Sequence, residues 1–313
     1  MKVISNIYNQ KVLLILLIMF VLSSLFAPYF LTWQNISTLL TQSSIFGIMA
    51  LGMTFVILAG EFDLSVGAVM AFSGVFAVKL APYTGIGSAI LIVVLSAALA
   101  GLLAGLLVTW FGLNSFMVSL CSMFFFNGLA LAVSGSRPLM TMDPVLDWLG
   151  NGSTLSIPNM LWLFAILFVI TEYVLRNTKF GRNVYAVGGD EQVARLSGIP
   201  VRFYKISVFV ISGFCAGIGG ILLAGMLNSA SPTVGEGAAL SVIFSVVIGG
   251  TSLAGGEGSA IRTVMGLFIF GILDDSLSLL NVPGFHQSLI KGVLLVVVIG
   301  MDYYSRGKVK AYG

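Results

Sequence analysis

Two adjacent carboxylates, Asp274 and Asp275, lie inside an apolar run, GLFIFGILDDSLSLL. A carboxylate in hydrocarbon is costly, so such groups usually face a water-filled path or a partner. On a helix the two would point about 100° apart, so at most one faces a path squarely. As hydrogen-bond acceptors they are candidates for a solute pathway. They suit equally the coupling proton or sodium ion of a transporter. The plain alternative is a helix that ends early and leaves both near the surface. Asn127, in FFFNGLALAVSGS, is a third polar group in an apolar run. It is a candidate for the same solute pathway or for a helix–helix hydrogen bond. Catalytic patterns are missing: the chain has no G-x-x-x-x-G-K-[ST] loop, no G-x-S-x-G and no H-E-x-x-H. The single histidine, His286, stands without a metal-ligand cluster. Cys121 and Cys215 sit in apolar runs with no disulfide or metal spacing. The expectation is a chain that is not an enzyme and binds no metal or cofactor itself.

The elements that would position these groups are membrane helices. The chain is 58% hydrophobic and 9% charged, where soluble domains carry about 25% charged residues. Its 37 glycines suit close helix packing. Charges, glycines and prolines divide the apolar runs into ten, at 12–31, 42–60, 64–80, 88–110, 114–134, 159–175, 206–227, 238–254, 263–281 and 286–303. The first run is too long for a secretory signal core of about 7–15 residues, which predicts an uncleaved helix. Ten spans put both termini on one side. With the N-terminus inside, the cytoplasmic segments hold twelve basic residues and the outer segments three, Lys79, Arg137 and Lys291. The predicted architecture is an all-α polytopic membrane domain over 1–313, N-in and C-in, with eight spans plus re-entrant segments as the alternative.

Arg176–Lys205 is the one long basic segment, RNTKFGRNVYAVGGDEQVARLSGIPVRFYK, and falls in the cytoplasm. It contains a short helix signal: Asp190 as cap, Glu191 in the first turn, Val193, Ala194 and Leu196 as an apolar face, Gly198 as stop, Pro200 beyond. Two readings stand, a solvated loop that fixes topology and a docking element for a soluble partner. The 135–158 segment falls outside, with a short interfacial helix from about Pro144 and Trp148 at headgroup depth. Two glycine-rich interruptions are candidates for a gate or helix break. In GEFDLSVG, Asp63 can cap the next helix and Gly67 permits close approach. The 228–258 region carries Gly249, Gly250, Gly255 and Gly256 around a short apolar core. Such segments often build transporter pathways; the alternatives are a capped turn and a short span with glycine-rich ends.

Three ordered blocks give the chain a resemblance. They are NISTLLTQSSIFGIMALGMTFVILAGEFDLSVGAVMAFSG (35–74), TKFGRNVYAVGGDEQVARLSGIPV (178–201) and VVIGGTSLAGGEGSAIRTVMG (246–266). With these blocks the chain resembles the permease subunits of ATP-binding-cassette importers of the ribose, xylose, arabinose and galactose type, a group that includes the autoinducer-2 permeases. The resemblance implies alternating access in a bacterial inner membrane. Its implied partners are a cytoplasmic ATPase that carries the ATP and Mg, a periplasmic or lipid-anchored sugar-binding protein, and a second permease, identical or related. Membrane lipid surrounds the chain, and no nucleic acid is implied. The segment holding Gly189, Asp190, Glu191, Ala194, Arg195, Ser197 and Gly198 would contact the ATPase. Two departures are clear: Glu61-Phe62 stands where the family usually has Gly-Ile, and Asp274-Asp275 where Asn-Asn or Asn-Gly is expected. The competing class is a stand-alone ion-coupled transporter of a small polar solute, with Asp274 or Asp275 carrying the ion.

Overall fold

The computed structural model describes residues 2–311, with side chains over 10–297. Tyr312, Gly313 and the side chains of Lys2, Arg306, Lys308 and Lys310, all part of the reading above, lie outside the described residues. Among the described residues there are thirteen helices: α1 (Lys2–Phe26), α2 (Trp33–Leu58), α3 (Val66–Thr84), α4 (Ile86–Trp110), α5 (Ser115–Ser134), α6 (Pro144–Asn151), α7 (Asn159–Asn177), α8 (Lys179–Gly189), α9 (Glu191–Leu196), α10 (Val201–Leu227), α11 (Ala238–Ile248), α12 (Ala260–Leu279) and α13 (Gly284–Ala311). Four two-residue strands form two antiparallel pairs, β1 (Leu139–Met140) with β4 (Ser229–Ala230) and β2 (Ser153–Thr154) with β3 (Ile157–Pro158).

Local chemistry sets several helix starts. Thr32 accepts from the Asn35 amide at α2, Asn114 from Phe116 at α5, and Asp143 from Val145 and Leu146 at α6. The break between α4 and α5 falls at Phe111–Asn114, between the predicted runs 88–110 and 114–134. Six helices, α2, α3, α4, α5, α7 and α10, are long and apolar enough to cross a membrane. Shorter apolar stretches occupy Gln10–Phe26, α11 and Gly284–Val297. α12 is also long, with Arg262, Asp274 and Asp275 on it. The fold is therefore that of an all-α polytopic membrane protein.

α10 is the central post. Its glycines let neighbouring backbones approach as small residues do between membrane helices. A Cβ on Gly213 would strike the Ala97 carbonyl, and one on Gly220 the Met70 carbonyl. Gly105 meets Ile206, Gly101 meets Phe209, and Gly217 meets Ala97 and Val94. The positions fall on α4 as they rise on α10, so these two helices are antiparallel.

One apolar run is shorter as a helix than its length suggested. The 238–254 run is helical only to Ile248, because Gly250, at φ +89°, closes it, with the Gly250 and Thr251 amides donating to the Val247 and Val246 carbonyls, while Gly249 packs on the Arg262 carbonyl. At 11 residues, α11 is about 16 Å long, roughly half of a 30 Å hydrocarbon core. The chain reaches it from β4 by a non-helical segment whose Gly235 lies on the Gly67 backbone near the start of α3. Non-helical backbone at membrane depth requires protein or a water-filled cavity around it; here α3 covers it.

Candidate functional site

The short helix signalled by the sequence is α9, and its ends are closed locally. Asp190 Oδ1 accepts from the amides of Gln192 at 2.9 Å and Val193 at 3.0 Å. At the other end the Gly198 amide donates to the Arg195 carbonyl and the Ile199 amide to the Ala194 carbonyl. This is a Schellman closure, and Gly198 supplies its left-handed residue at φ +79°. Ser197 returns its hydroxyl to the Val193 carbonyl. The apolar face expected of Val193, Ala194 and Leu196 is divided. Ala194 is buried, while Val193 is 57% and Leu196 89% exposed. Residues three apart share a helix face and Ala194 sits a step around it. Two large apolar side chains therefore point away from the rest of the chain.

Sequence reasoning missed α8, which carries α9. Its signal was present as Phe180, Val184 and Val187 at helical spacing, with Thr178 capping the Gly181 amide. Phe180 packs between the rings of Phe55 and Tyr204, at 6.1 and 5.5 Å. Asn183 donates to the Tyr204 hydroxyl at 2.6 Å. The Tyr185 hydroxyl donates to the Gly258 carbonyl at 2.9 Å. Burial, together with nearby Glu172, pushes Tyr185 up to about 12.

The three sequence blocks meet beneath α9. The Gly256 amide donates to the Leu58 carbonyl at 2.9 Å. Gly188 touches that same carbonyl so closely that no Cβ fits. Gly255 lies on Gly60 and Gly188, and Gly256 on Gly189. Gly255 and Gly256 have φ +85° and +75°, a region that favours glycine. Thus the end of α2, the α8–α9 joint and the loop before α12 share one backbone junction. Of the candidate gate residues, Gly255 and Gly256 belong to it, Gly249 and Gly250 end α11, and Gly67 packs on Gly235.

A chain of charges runs beside the junction. Arg195 pairs with Glu191 at 2.7 Å, Glu191 with Lys205 at 2.7 Å, and Lys205 with the buried Glu61 in the α2–α3 turn. The Lys205 bond, assisted by Arg195, holds the Glu191 carboxyl below its usual range. In the sequence Glu61 stands out only as a departure from the family and Lys205 only as one of several loop charges; their pairing joins segments far apart in sequence. Asp63, expected to cap α3, does something else. Its Oδ1 accepts from the Ser65 amide at 3.0 Å and the Ser65 hydroxyl at 2.6 Å, and Oδ2 accepts from Ser212 of α10 at 2.7 Å. Ser65 holds the cap position, too near for Asp63 to reach the free amides of the first turn. Asp63 thereby ties the α2–α3 turn to α10.

The candidate pathway carboxylates both have partners. Asp275 accepts from Asn35 of α2 at 2.8 Å, and Asp274 pairs with Lys291 of α13. Both lie toward the end of α12 remote from α9 and are partly exposed. Asn127 is half-buried on α5. At that remote end lies a cleft of about 520 Å³, between the first turns of α2 and the segment from α6 to β3; none of the three lines it.

Comparison with known proteins gives one consistent result. The family described as branched-chain amino acid transport system / permease component matches residues 35–299. The L-arabinose ABC transporter permease protein of Azospirillum brasilense is 38% identical, over 97% of this chain and 90% of its own. The ribose import permease protein of Escherichia coli (strain K12) is 36% identical, over 94% and 93%. The D-allose transport system permease protein of the same strain is 34% identical, over 91% and 88%. No solved structure matches the chain.

Proposed function

The chain belongs to the family of branched-chain amino acid transport system permease components, and on that premise we propose that it is the membrane subunit of a bacterial ATP-driven monosaccharide importer. It is a multi-pass protein of the inner membrane, and its similar proteins are named for arabinose transport, ribose import and allose transport. The solute is accordingly an aldose or a close relative.

In this reading 1–313 is one permease domain with ten crossings and both termini inside. The twelve-to-three division of basic residues supports the orientation, and it places α8–α9 in the cytoplasm and 135–158 outside. α9 is the coupling helix. Val193 and Leu196 enter a groove on the partner ATPase, with Gly189, Asp190, Arg195 and Ser197 at the rim. Glu191, Ala194 and Gly198 hold the helix in shape. ATP and Mg act on the ATPase, and this chain binds neither. A sugar-binding protein delivers the solute from outside, and a second permease completes the path. Closure of the ATPases displaces α9. The displacement passes through Glu191, Lys205 and Glu61 into the α2–α3 turn, and through the glycine junction into the loop before α12. Those segments are the gate of an alternating-access cycle.

The observation that carries this reading is the meeting of the three blocks under an exposed, locally closed α9. An ion-coupled carrier would need Asp274 or Asp275 free to exchange an ion, and Lys291 and Asn35 hold them. The deciding experiment is purification of the tagged chain from its host. A vanadate-sensitive ATPase is expected to accompany it and to be lost with Arg195→Glu or Leu196→Asp, while membrane insertion persists. A chain that comes down alone and takes up solute on an ion gradient refutes the importer reading.

A further inference from the structure

The cleft at the end remote from α9 has a chemistry that the coupling machinery does not use. Its volume of about 520 Å³ falls within the range of small-molecule sites, about 300–1,000 Å³. One wall is a stripe on α2, Gln34, Ser37, Thr38 and Thr41, at the spacing that shares a helix face. The facing wall includes Asn151 at the end of α6 and Ser156 in the β2–β3 turn. Leu155 and Ser156 both have positive φ, at 55° and 62°, as in a type I′ hairpin. That turn holds Ser156 in the lining of the cleft. Among the described residues the lining contains no Asp, Glu, Lys or Arg. An ion would lose water there without gaining a counter-charge, whereas a neutral polar solute loses less.

The hydrogen-bond inventory is more specific. Thr38 donates its hydroxyl to the Gln34 carbonyl at 3.0 Å, and Thr41 to the Ser37 carbonyl at 2.8 Å. Asn151 spends its amide hydrogens on Asp147 Oδ1 at 2.9 Å and the Gly225 carbonyl at 3.1 Å. All three therefore offer acceptor oxygens to the cleft. The amide of Gln34 and the hydroxyl of Ser37 supply donors as well. A sugar hydroxyl both donates and accepts, so a row of such groups matches this wall along its length. The stripe runs inward from the start of α2 at Trp33 to Thr41, a descent of about 12 Å.

We propose that this cleft is the outer receiving site for a neutral polyhydroxylated solute, held by the α2 stripe opposite Asn151 and Ser156. The proposal deepens the importer reading and rests on it for direction of travel. Its test uses the assembled importer in proteoliposomes with labelled ribose, arabinose and allose as probes. For the double variant Ser37→Ala/Thr41→Val, sugar moved per ATP hydrolysed is expected to fall about tenfold, since each change deletes a solute bond of ordinary strength. An unchanged ratio overturns the proposal. A second measurement reads occupancy without transport. Ser37→Cys is made in a Cys121→Ser background, in which Cys215 stays buried, and is labelled from outside with a membrane-impermeant maleimide. One of the three sugars at high concentration is expected to slow labelling at least threefold, and sodium sulfate is not. Labelling that none of the sugars slows overturns the site even if transport persists. Labelling slowed by sugar in a chain with no ATPase partner instead overturns the importer reading and leaves the site standing.

Discussion

Lys205 is the residue on which the charge chain turns, because it faces two carboxylates at once. Its side chain is 15% and that of Glu61 9% exposed. Removing one partner of a pair this deep leaves an uncompensated charge. Lys205→Met strands the buried Glu61 and leaves Glu191 only Arg195, whereas Glu61→Gln leaves Lys205 its bond to Glu191. The lysine variant is therefore expected to lose more stability, about 2 kcal/mol against less than 1 kcal/mol, after discounting for the exposure that remains. Melting temperatures in detergent give the order, and a reversed order removes Glu61 from the chain of charges. The pH dependence has a definite sign. The folded Glu191 carboxyl lies below its ordinary value of 4.5, so its contribution is complete above that value and lost as pH falls through the lower folded one. Hydrogen exchange at the α9 amides is expected to be flat from pH 8 to 5, once corrected for intrinsic rates, and to lose protection only in stronger acid. Protection lost already near pH 6 contradicts the assignment.

At the scale of elements, what the sequence reveals depends on whether the determinant is local. α9 was legible because its cap, its stop and its proline all lie within a few residues of it. Asp190→Ala is accordingly expected to cost about 1 kcal/mol of local stability, the usual value of a side-chain cap. Gly198→Val should cost more, because a β-branched residue is strained at φ +79°. In both variants α9 amide exchange should accelerate while the exchange of α10 is unchanged. α2 was read nine residues late, at 42 instead of 33, because its first turns are polar. The same polarity that hid the helix lines the cleft. The end of α11 was placed six residues late for the opposite reason. Residues 249–254 are small or apolar and so continue the run, although Gly250 at φ +89° closes the helix locally, its own amide and that of Thr251 donating to the Val247 and Val246 carbonyls. The cap expected from Asp63 is not made because Ser65 takes the cap position, and the Ser212 that Asp63 binds instead is remote in sequence.

At the scale of the molecule, the proposed importer needs one end to follow the ATPase while the other meets solute, so the backbone between them has to move as packed units. The glycine junction joins those units with carbonyl contacts and almost no side chain, which leaves little to absorb a shift. Gly188 and Gly189 separate the structural from the coupling part of this claim. A Cβ at 188 collides with the Leu58 carbonyl and with the Gly256 amide bonded to it, while a Cβ at 189 meets nothing in the chain. Gly188→Ala is expected to destabilise the isolated permease by about 1–3 kcal/mol, the usual range for overpacking. Gly189→Ala is expected to leave its melting temperature unchanged and to act only when the ATPase is present, by crowding the α9 rim. Melting of each variant alone, followed by sugar uptake with the partner restored, distinguishes the two. If Gly189→Ala melts early by itself, position 189 is part of the junction and not of the docking surface. If neither variant alters melting or uptake, the junction is not the route from α9 to the gate, and the Glu191–Lys205–Glu61 chain must carry the motion alone.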